Sequence, residues 1–290
     1  RRSGLPAKSS KGNDTAPVNP DADLSVLLSG IQFDRAAHNY DQTRGFPAGV
    51  GEQVAAALVN LVGCSPADRI LEIGIGTGRI ARPLAALLGP NHRITGVDLS
   101  RKMMDRLVAA TAPDVRRPQL AEASATFLPF PAETFRAILV VHVLHLVRDW
   151  QTAVAEALRV RAPGGVLVGG WNDHPPESSG ERISQKFREV ARARGISTER
   201  QGLAHFRDVL AHLPPARADE IVAAEWTVDR APRLALQSIA ERHFSSAWLI
   251  PDDVFPAVLA DVEAWAAREW RDLDQTIPER RRFNWMKLEF

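Results

Sequence analysis

Three glycines lie within five positions in the segment "ILEIGIGTGRIARPLA" (70–85), where an apolar run passes into an amphipathic one. We interpret this segment as a strand, a tight turn and a helix, which would present backbone N–H groups and a helix N-terminus to a ligand. Gly74 and Gly76 permit close backbone approach and unusual φ angles, and Gly78 permits the helix to pack tightly on the sheet. The alternative, a plain strand-to-helix turn, rarely needs three glycines.

The spacing of these glycines and a later acid indicate which nucleotide is bound. The dinucleotide fingerprint is G-x-G-x-x-G, whereas Arg79 here occupies the position of its third glycine, which argues against a nicotinamide cofactor. Asp98 ends the second predicted strand, and an acid there can accept hydrogen bonds from both ribose hydroxyls. The sequence therefore predicts an adenosine moiety without a 2′-phosphate, unless Asp98 only caps the next helix.

Two histidines, His142 and His145, follow the fourth predicted strand at the mouth of the same crevice. Either is a candidate general base, needed only if the acceptor must lose a proton. In the alternative interpretation His145 packs beneath the next helix and His142 contributes only its backbone. No Cys, Asp or Glu lies near enough in sequence to complete a metal site with them, so we predict no metal.

These residues can be brought together if strands and helices alternate along the chain. The sequence pattern predicts five such alternations over the first 150 residues after a polar N-terminal segment. This alternation predicts a parallel sheet covered by helices on both faces. The third strand, with Pro118 near its start, is expected at an edge. The predicted strands are 69–74, 92–100, 116–123, 135–144 and 164–171, and the helices are 49–63, 78–89, 101–111 and 149–162.

The pattern changes after residue 171, where the loop "NDHPPESSGE" (172–181) begins. Two helices, a strand, a long amphipathic helix and a final strand are predicted to follow. These are, in order, 182–195, 203–213, 219–230, 253–273 and 281–290. We accordingly divide the chain into a disordered tail (1–23), a cofactor-binding core (24–171), a helical cap or lid (172–215) and a C-terminal part that completes the sheet (216–290).

Composition excludes several classes of protein. The chain has 290 residues with 36 Lys and Arg against 35 Asp and Glu, so it lacks the overall basic charge that is typical of proteins that bind nucleic acid. The apolar stretch "AILVVHVLHLV" is far shorter than the roughly 18 residues of a membrane span. The N-terminal segment is polar and has no apolar region typical of a secretion signal. The only cysteine, Cys64, leaves no internal disulfide, which favours a cytoplasmic location.

Five motifs together resemble the class I S-adenosylmethionine-dependent methyltransferases, in particular their ubiquinone/menaquinone-biosynthesis-like (methyltransferase type 11) group. The resemblance covers about residues 40–171. It implies an α/β, Rossmann-like, seven-stranded and mostly parallel sheet with a small helical cap inserted after the fifth strand, and S-adenosylmethionine as cofactor. The motifs are "YDQTRGFP", "LEIGIGTGRIA", "ITGVDLSRKMMDRL", "ASATFLPFPAETFRAILVVHVLHLV" and "ALRVRAPGGVLV".

The resemblance also implies roles for individual residues. Glu72 and the glycine loop would neighbour the methionine part of the donor, and the backbone of Val141 and His142 would face its ammonium group. The chain departs from the family pattern at Ser124, where an acid is usual, and at Arg136, where Asp is usual. The implied cofactor-binding residues are Tyr40, Arg44, Glu72, Gly74, Gly76, Gly78, Asp98, Leu99, Met103, Ser124, Ala125, Val141 and His142.

Within this set, Leu99 and Ala125 would enclose the adenine, while Tyr40 and Arg44 would close over the site.

We predict an enzyme that moves a methyl group in line to a small-molecule acceptor. A non-catalytic S-adenosylmethionine-binding protein and a methyltransferase acting on protein or RNA are the alternatives. An apolar or aromatic acceptor is favoured by the aromatic side chains beyond the core, although core burial would explain most of them equally well: Trp171, Phe187, Phe206, Trp248, Trp265 and Trp270.

Overall fold

The structure, a computed structural model, describes residues 45–198, 202–243 and 245–290. Its described strands form one seven-stranded sheet in the order β3-β2-β1-β4-β5-β7-β6. The first five strands are parallel, and β7 runs antiparallel to both β5 and β6. The strands are β1 (Arg69–Ile73), β2 (Arg93–Asp98), β3 (Gln119–Glu122), β4 (Phe135–Val141), β5 (Arg161–Asp173), β6 (Arg217–Arg230) and β7 (Ile277–Glu289).

The predicted fold class is confirmed, and β3 lies at an edge of the sheet as Pro118 indicates. In chain order the helices are α1 (Val50–Val62), α2 (Ala81–Leu88), α3 (Arg101–Ala110), α4 (Trp150–Val160), α5 (Ser179–Ala193), α6 (Val209–His212), α7 (Pro232–Ala240), α8 (Ser245–Trp248) and α9 (Phe255–Glu269). Helices α1 to α4 and α9 follow the predicted segments and are a few residues shorter, whereas α5 begins three residues before its predicted start. The predicted helix 203–213 is reduced to a 3₁₀ turn (Phe206–Asp208) and α6, and the sequence analysis did not predict α7 or α8.

The sheet separates two hydrophobic cores because successive side chains of a strand point to opposite faces. On β4, Leu139 and Val141 join the core that contains α1 and α2, whereas Ile138 and Val140 join the core beneath α4. Both faces of the central strands are therefore buried, which explains why β4 is almost continuously apolar in sequence.

A third hydrophobic cluster is formed by helices alone and lies at the carboxyl edge of the sheet. Because β5 and β6 both pair antiparallel with β7, they run in the same direction and end at the same edge. Helix α5 follows β5 and helices α7 to α9 follow β6, and these helices bury a common core that includes Phe187 and Phe255. We call this helical cluster the cap; its helices span 179–193 and 232–269.

The segment predicted as a cap, 172–215, is thus divided between two environments. Its first helix, α5, belongs to the helical cluster, while Phe206 and Val209 are buried in the core against the sheet. The Phe206 ring lies where a side chain on Gly169 of β5 would otherwise be. The amides of Gly202 and Leu203 donate to the carbonyls of His145 and Leu144, just beyond β4. The second half of the segment is therefore part of the core layer beside the sheet.

One buried carboxylate attaches the cap to the sheet. Glu279 of β7 is 4% exposed, and one of its oxygens accepts hydrogen bonds from the backbone N–H (2.9 Å) and hydroxyl (2.7 Å) of Ser179 at the start of α5. Its other oxygen accepts from Arg281 Nη2 at 2.6 Å. A carboxylate at a helix N-terminus also interacts favourably with the helix dipole.

Candidate functional site

The glycine loop joins β1 to α2 and is tied to the neighbouring strand β2. The N–H groups of Gly74 and Ile75 both donate to the carbonyl oxygen of Val97, at 2.8 and 3.0 Å. Gly74, Gly76 and Gly78 have φ angles of 74°, 54° and 79°, in the left-handed region that favours glycine. The loop therefore lies at the carboxyl ends of β1 and β2, beside the point where the strand order reverses.

The three glycines avoid a side chain for different reasons. A Cβ atom on Gly74 would lie 2.8 Å from a Val143 methyl, and one on Gly78 would lie 2.7 Å from Leu107 Cγ. A Cβ atom on Gly76 would have no protein atom within 4 Å. Gly74 and Gly78 are thus required by close contact inside the protein, and Gly76 alone faces open space where a ligand can approach the backbone.

Asp98, the last residue of β2, connects the loop to the following turn. Its Oδ2 accepts from Gly76 N–H and its Oδ1 accepts from Ser100 N–H, both at 2.8 Å. The N-cap residue of helix α3 is Ser100 rather than Asp98, because the Ser100 hydroxyl accepts from Met103 N–H at 3.2 Å. The role of Asp98 as the acceptor for ribose hydroxyls stays a prediction.

We expect Asp98→Ala to weaken S-adenosylmethionine binding by about 1.5–3 kcal/mol, the range for hydrogen bonds to a charged group. The variant loses the predicted ribose acceptor and also releases Gly76 N–H. Isothermal titration calorimetry on the folded variant measures the effect. Asp105→Ala is the control, because this exposed acid on α3 pairs only with Arg101 among the described residues. Unchanged affinity of Asp98→Ala would contradict the ribose assignment.

Glu72, near the end of β1, is a buried acid in a position that is costly for an ionised group. It is 3% exposed and accepts a hydrogen bond from Ala81 N–H at the start of α2, while its Oε2 has no partner among the described residues. Burial, and secondarily the charge of Asp98, raises the pKa of Glu72 well above its ordinary value. Such a carboxylate favours a cationic ligand, which would restore its ionised form.

We expect Glu72→Gln to weaken donor binding by about 1.5–3 kcal/mol while leaving stability at pH 8 unchanged or higher. The folded protein holds the Glu72 proton more tightly than the unfolded chain does. The stability that this proton contributes is therefore present below the ordinary carboxyl pKa of 4.5 and is lost as the pH rises through the raised folded value. Urea unfolding at pH 5 and pH 8 measures this difference, and a variant destabilised equally at both would contradict it.

The segment after β3 forms the next wall of the crevice. Ala123 N–H donates to the carbonyl of Asp98 at 3.1 Å, which places Ser124 and Ala125 beside the end of β2. The Ser124 hydroxyl lies 2.8 Å from that of Thr126 and accepts from its N–H at 3.2 Å. The predicted adenine contacts of Leu99 and of these two residues stay a prediction.

A salt bridge that the sequence did not reveal holds the rest of this loop. Glu156 of α4 accepts from Leu128 N–H at 2.8 Å, and Arg159 donates to the carbonyls of Leu128 and Phe130 at 3.0 and 2.8 Å. Glu156 and Arg159 also pair with each other. Their i, i+3 spacing on one helix was the only signal available in the sequence.

The residues after β4 complete the crevice on the opposite side of β1. His142 has a φ of 52°, which is uncommon for a residue other than glycine, and the following Val143 packs against Gly74. His145 lies in a short 3₁₀ helix, Leu144–Leu146. The structure thus places both histidines at the same sheet edge as the glycine loop, and their role as bases stays a prediction.

Arg79, which replaces the third glycine of the dinucleotide pattern, joins three elements. Its guanidinium carbon lies 3.7 Å from the ring centroid of Phe46, and its Nη2 donates to Asn172 Oδ1 of β5 at 2.9 Å. Phe46 also makes an edge contact with Phe283 of β7. Tyr40 and Arg44, predicted to close over the site, lie outside the described residues.

Most aromatic residues proposed for an acceptor pocket have other contacts. Phe187 packs against Phe255 in the cap, and Phe206 is buried against the sheet. The rings of Trp265 and Trp270 contact each other, and Arg207 lies over Trp171. Trp171, partly exposed at the end of β5, is the member of the set nearest in the chain to the crevice.

Other kinds of site find less support in the described part of the chain. It contains no group of three or more His, Cys, Asp or Glu side chains arranged to hold a metal. None of its helices is both long and apolar enough to cross a membrane. Burial, and then the charge of Asp68, raises the pKa of Cys64 to about 11, so its thiol is protonated and unreactive at neutral pH.

The sheet order, the antiparallel seventh strand, the glycine loop after β1 and the acid at the end of β2 define the class I S-adenosylmethionine-dependent methyltransferases. A family model described as a methyltransferase domain matches residues 71–169. S-adenosylmethionine is the cofactor of this class.

Individual relatives agree with this match. A ubiquinone/menaquinone biosynthesis C-methyltransferase, UbiE, from Syntrophotalea carbinolica is 36% identical over 137 residues, which cover 47% of this chain and 57% of that protein. The chain spans only 55–60% of the length of the first curated relatives. The crystal structure of the YcgJ protein from Bacillus subtilis has a TM-score of 0.52 at 17% identity, covering 82% of this chain and 98% of that one. This structural likeness establishes the fold alone.

Proposed function

We propose that this protein transfers the methyl group of S-adenosylmethionine to a small-molecule acceptor. The observation that carries the proposal is the hydrogen bond between Gly76 N–H and Asp98, which joins the glycine loop of β1 to the acid of β2. A Cβ atom on Gly76 would meet no protein atom within 4 Å, so the loop and the acid border open space at this point.

The residues at this site suit the cofactor in size and charge. S-adenosylmethionine carries a sulfonium and an ammonium group, and the buried, unpaired oxygen of Glu72 offers a negative partner at the inner end of the crevice. Asp98, which holds the loop through Gly76 N–H, would accept from the ribose hydroxyls, and Leu99 and Ala125 would bound the adenine. When bound, the cofactor supplies an already activated methyl group, so the chain has to align the acceptor and exclude water.

The cap is the element best placed to exclude water. It starts at the carboxyl edge, directly after β5 and β6, where the crevice opens. Trp171 at the end of β5 and the two histidines after β4 would face an acceptor held beneath it. An aromatic acceptor is supported by the relative named for ubiquinone and menaquinone biosynthesis. His142 or His145 would take a proton only if the acceptor must lose one.

Transfer of tritium from methyl-labelled S-adenosylmethionine to a cell extract tests the function. We expect label to appear in an organic-soluble, low-molecular-weight fraction and to be absent when Gly76→Val replaces the native chain. Label in the protein or RNA fraction would contradict a small-molecule acceptor. Donor binding by calorimetry without transfer to any fraction would contradict an enzyme.

A cytoplasmic location stays a prediction that rests on the single cysteine.

We further expect α5 to exchange its amide hydrogens more slowly when donor and acceptor bind together. Residues 203–213 should exchange slowly even without ligand, because Phe206 and Val209 are buried and Leu203 N–H is bonded to the β4 end. Peptide-level hydrogen exchange by mass spectrometry separates the two segments. If α5 without ligand exchanged as slowly as β1 and β4, the cap would be a rigid part of the fold.

A further inference from the structure

The end of the sheet opposite the crevice carries an unusual set of basic residues. Each of the five parallel strands has an arginine at its first or second position or within three residues before it. Two of them, Arg69 and Arg93, are direct partners in the β1–β2 register. We call this set the arginine rim; it consists of Arg69, Arg93, Arg116, Arg117, Arg136 and Arg161.

The arginine rim is not neutralised by neighbouring acids. Among the residues that the structure describes, none of its six arginines forms an ion pair within 4 Å. By contrast, Arg207, Arg233 and Arg282 elsewhere each pair with a carboxylate. The nearby Asp68 is occupied by the N–H and hydroxyl of Ser65, at 2.7 and 2.8 Å. Although the net charge of the whole chain is only +1, six arginines lie at this edge, where Asp114 and Glu133 also precede β3 and β4.

A groove of about 560 Å³ opens between the α1–β1 turn and the starts of β2 and β3. This volume is within the range of roughly 300–1,000 Å³ that small-molecule sites occupy. Two rim arginines, Arg93 and Arg116, line the groove together with Asn91 and the turn residues 65–67. The charge of Arg136 acts to lower the pKa of Cys64, which adjoins that turn, so Arg136 lies near the groove. The Nη1 atom of Arg136 is buried without a partner among the described residues.

Three hydrogen bonds hold the walls of the groove, two of them made by a buried histidine. His92, 2% exposed, donates from Nε2 to the carbonyl of Arg116 at 2.6 Å and accepts from Ile94 N–H at Nδ1 at 3.3 Å. Arg116 Nη1 donates to the carbonyl of Pro90 at 3.3 Å. The two arginine-bearing walls are therefore connected to each other, which fixes the spacing of their charges before any ligand arrives.

We propose that this groove binds a small molecule that carries a phosphate group, held by the guanidinium groups of Arg93 and Arg116 and the amide of Asn91. Arginine suits phosphate because its planar donors match two phosphate oxygens at once. The groove lies at the amino ends of β1 and β2, whose carboxyl ends form the donor crevice. The site is thus separate from the proposed methyl-transfer site.

Calorimetric titration with inorganic pyrophosphate at constant ionic strength tests the proposal. We expect saturable binding to the native chain and an affinity lower by at least about tenfold in the double variant Arg93→Gln, Arg116→Gln, the loss typical of hydrogen bonds to a charged group. Arg271→Gln is the matched control, because Arg271 is exposed just after α9, away from this edge. S-adenosylmethionine binding should be the same in all three proteins. A failure of pyrophosphate binding is therefore distinguishable from a failure of the methyl-transfer proposal.

Three outcomes would overturn the site: no saturable pyrophosphate binding to the native chain, equal affinity in the double variant, or an equal loss in the control. Single-stranded RNA that binds the rim and is not displaced by pyrophosphate would overturn it as well. Sedimentation with phosphatidylcholine vesicles, with and without phosphatidic acid, identifies the source of the phosphate. Binding to the acidic vesicles that pyrophosphate displaces indicates a lipid headgroup, and no vesicle binding indicates a soluble phosphate ester.

Discussion

Replacing Gly76 with valine should reduce S-adenosylmethionine binding by more than about 100-fold. Gly76 has a φ of 54°, and a Cβ atom there would point into open space beside the Asp98 carboxylate. A branched side chain would therefore occupy the volume that the ligand needs, and it would also strain the left-handed backbone by roughly 1–2 kcal/mol. Calorimetry measures donor binding, and thermal unfolding measures how much of the fold is retained.

The control for this variant must reproduce the backbone strain without touching the crevice. Gly63, which ends α1, has a φ of 68°, and a Cβ atom on it would likewise meet no protein atom within 4 Å. Gly63→Val should lose a similar amount of stability and bind donor normally. If both variants bound donor equally well, or lost it to the same degree, the assignment of Gly76 to the ligand surface would be wrong.

Replacing Glu279 with alanine should destabilise the protein by about 3–5 kcal/mol, the usual cost of removing one partner of a buried ion pair. Glu279 is 4% exposed, and its loss leaves Arg281 and the first residue of α5 without their partner. Because Glu279 holds α5 against β7, its loss weakens the attachment of the cap to the sheet. Urea denaturation followed by circular dichroism gives the free energy of unfolding.

The pH dependence of stability provides a second measurement of the same contact. Burial alone would raise the pKa of Glu279, but hydrogen bonds from Ser179 and Arg281 outweigh it and hold the pKa below its ordinary value. The stabilisation is therefore complete above the ordinary carboxyl pKa of 4.5 and is lost as the pH falls through the lower folded value. Glu225→Ala, which breaks the more exposed pair with Arg282 on the same β6–β7 ribbon, should cost about 1 kcal/mol or less. Equal losses in the two variants would contradict a special role for Glu279.

The sequence by itself determined the sheet, most of the helices and the cofactor class. Apolar strands alternating with amphipathic helices leave only a sheet covered on both faces, and Pro118 assigns β3 to an edge. The cofactor class followed from the resemblance of the motifs around Gly76 and Asp98 to a known family. The fold inferences succeed because they depend on local periodicity and on general rules of strand connection.

Only the tertiary structure decided which contact each residue makes. The sequence analysis grouped Gly74 with Gly76, yet Gly74 is set by Val143 and Gly78 by Leu107, while Gly76 alone of the three faces the crevice. The cap combines α5 with helices some 40 to 90 residues further along the chain, because β5 and β6 end at the same edge. The arginine rim is scattered over 92 positions, from Arg69 to Arg161, and becomes one surface only when the parallel strands align their first residues. In each case the deciding interaction joins residues far apart in sequence, which periodicity along a single segment does not encode.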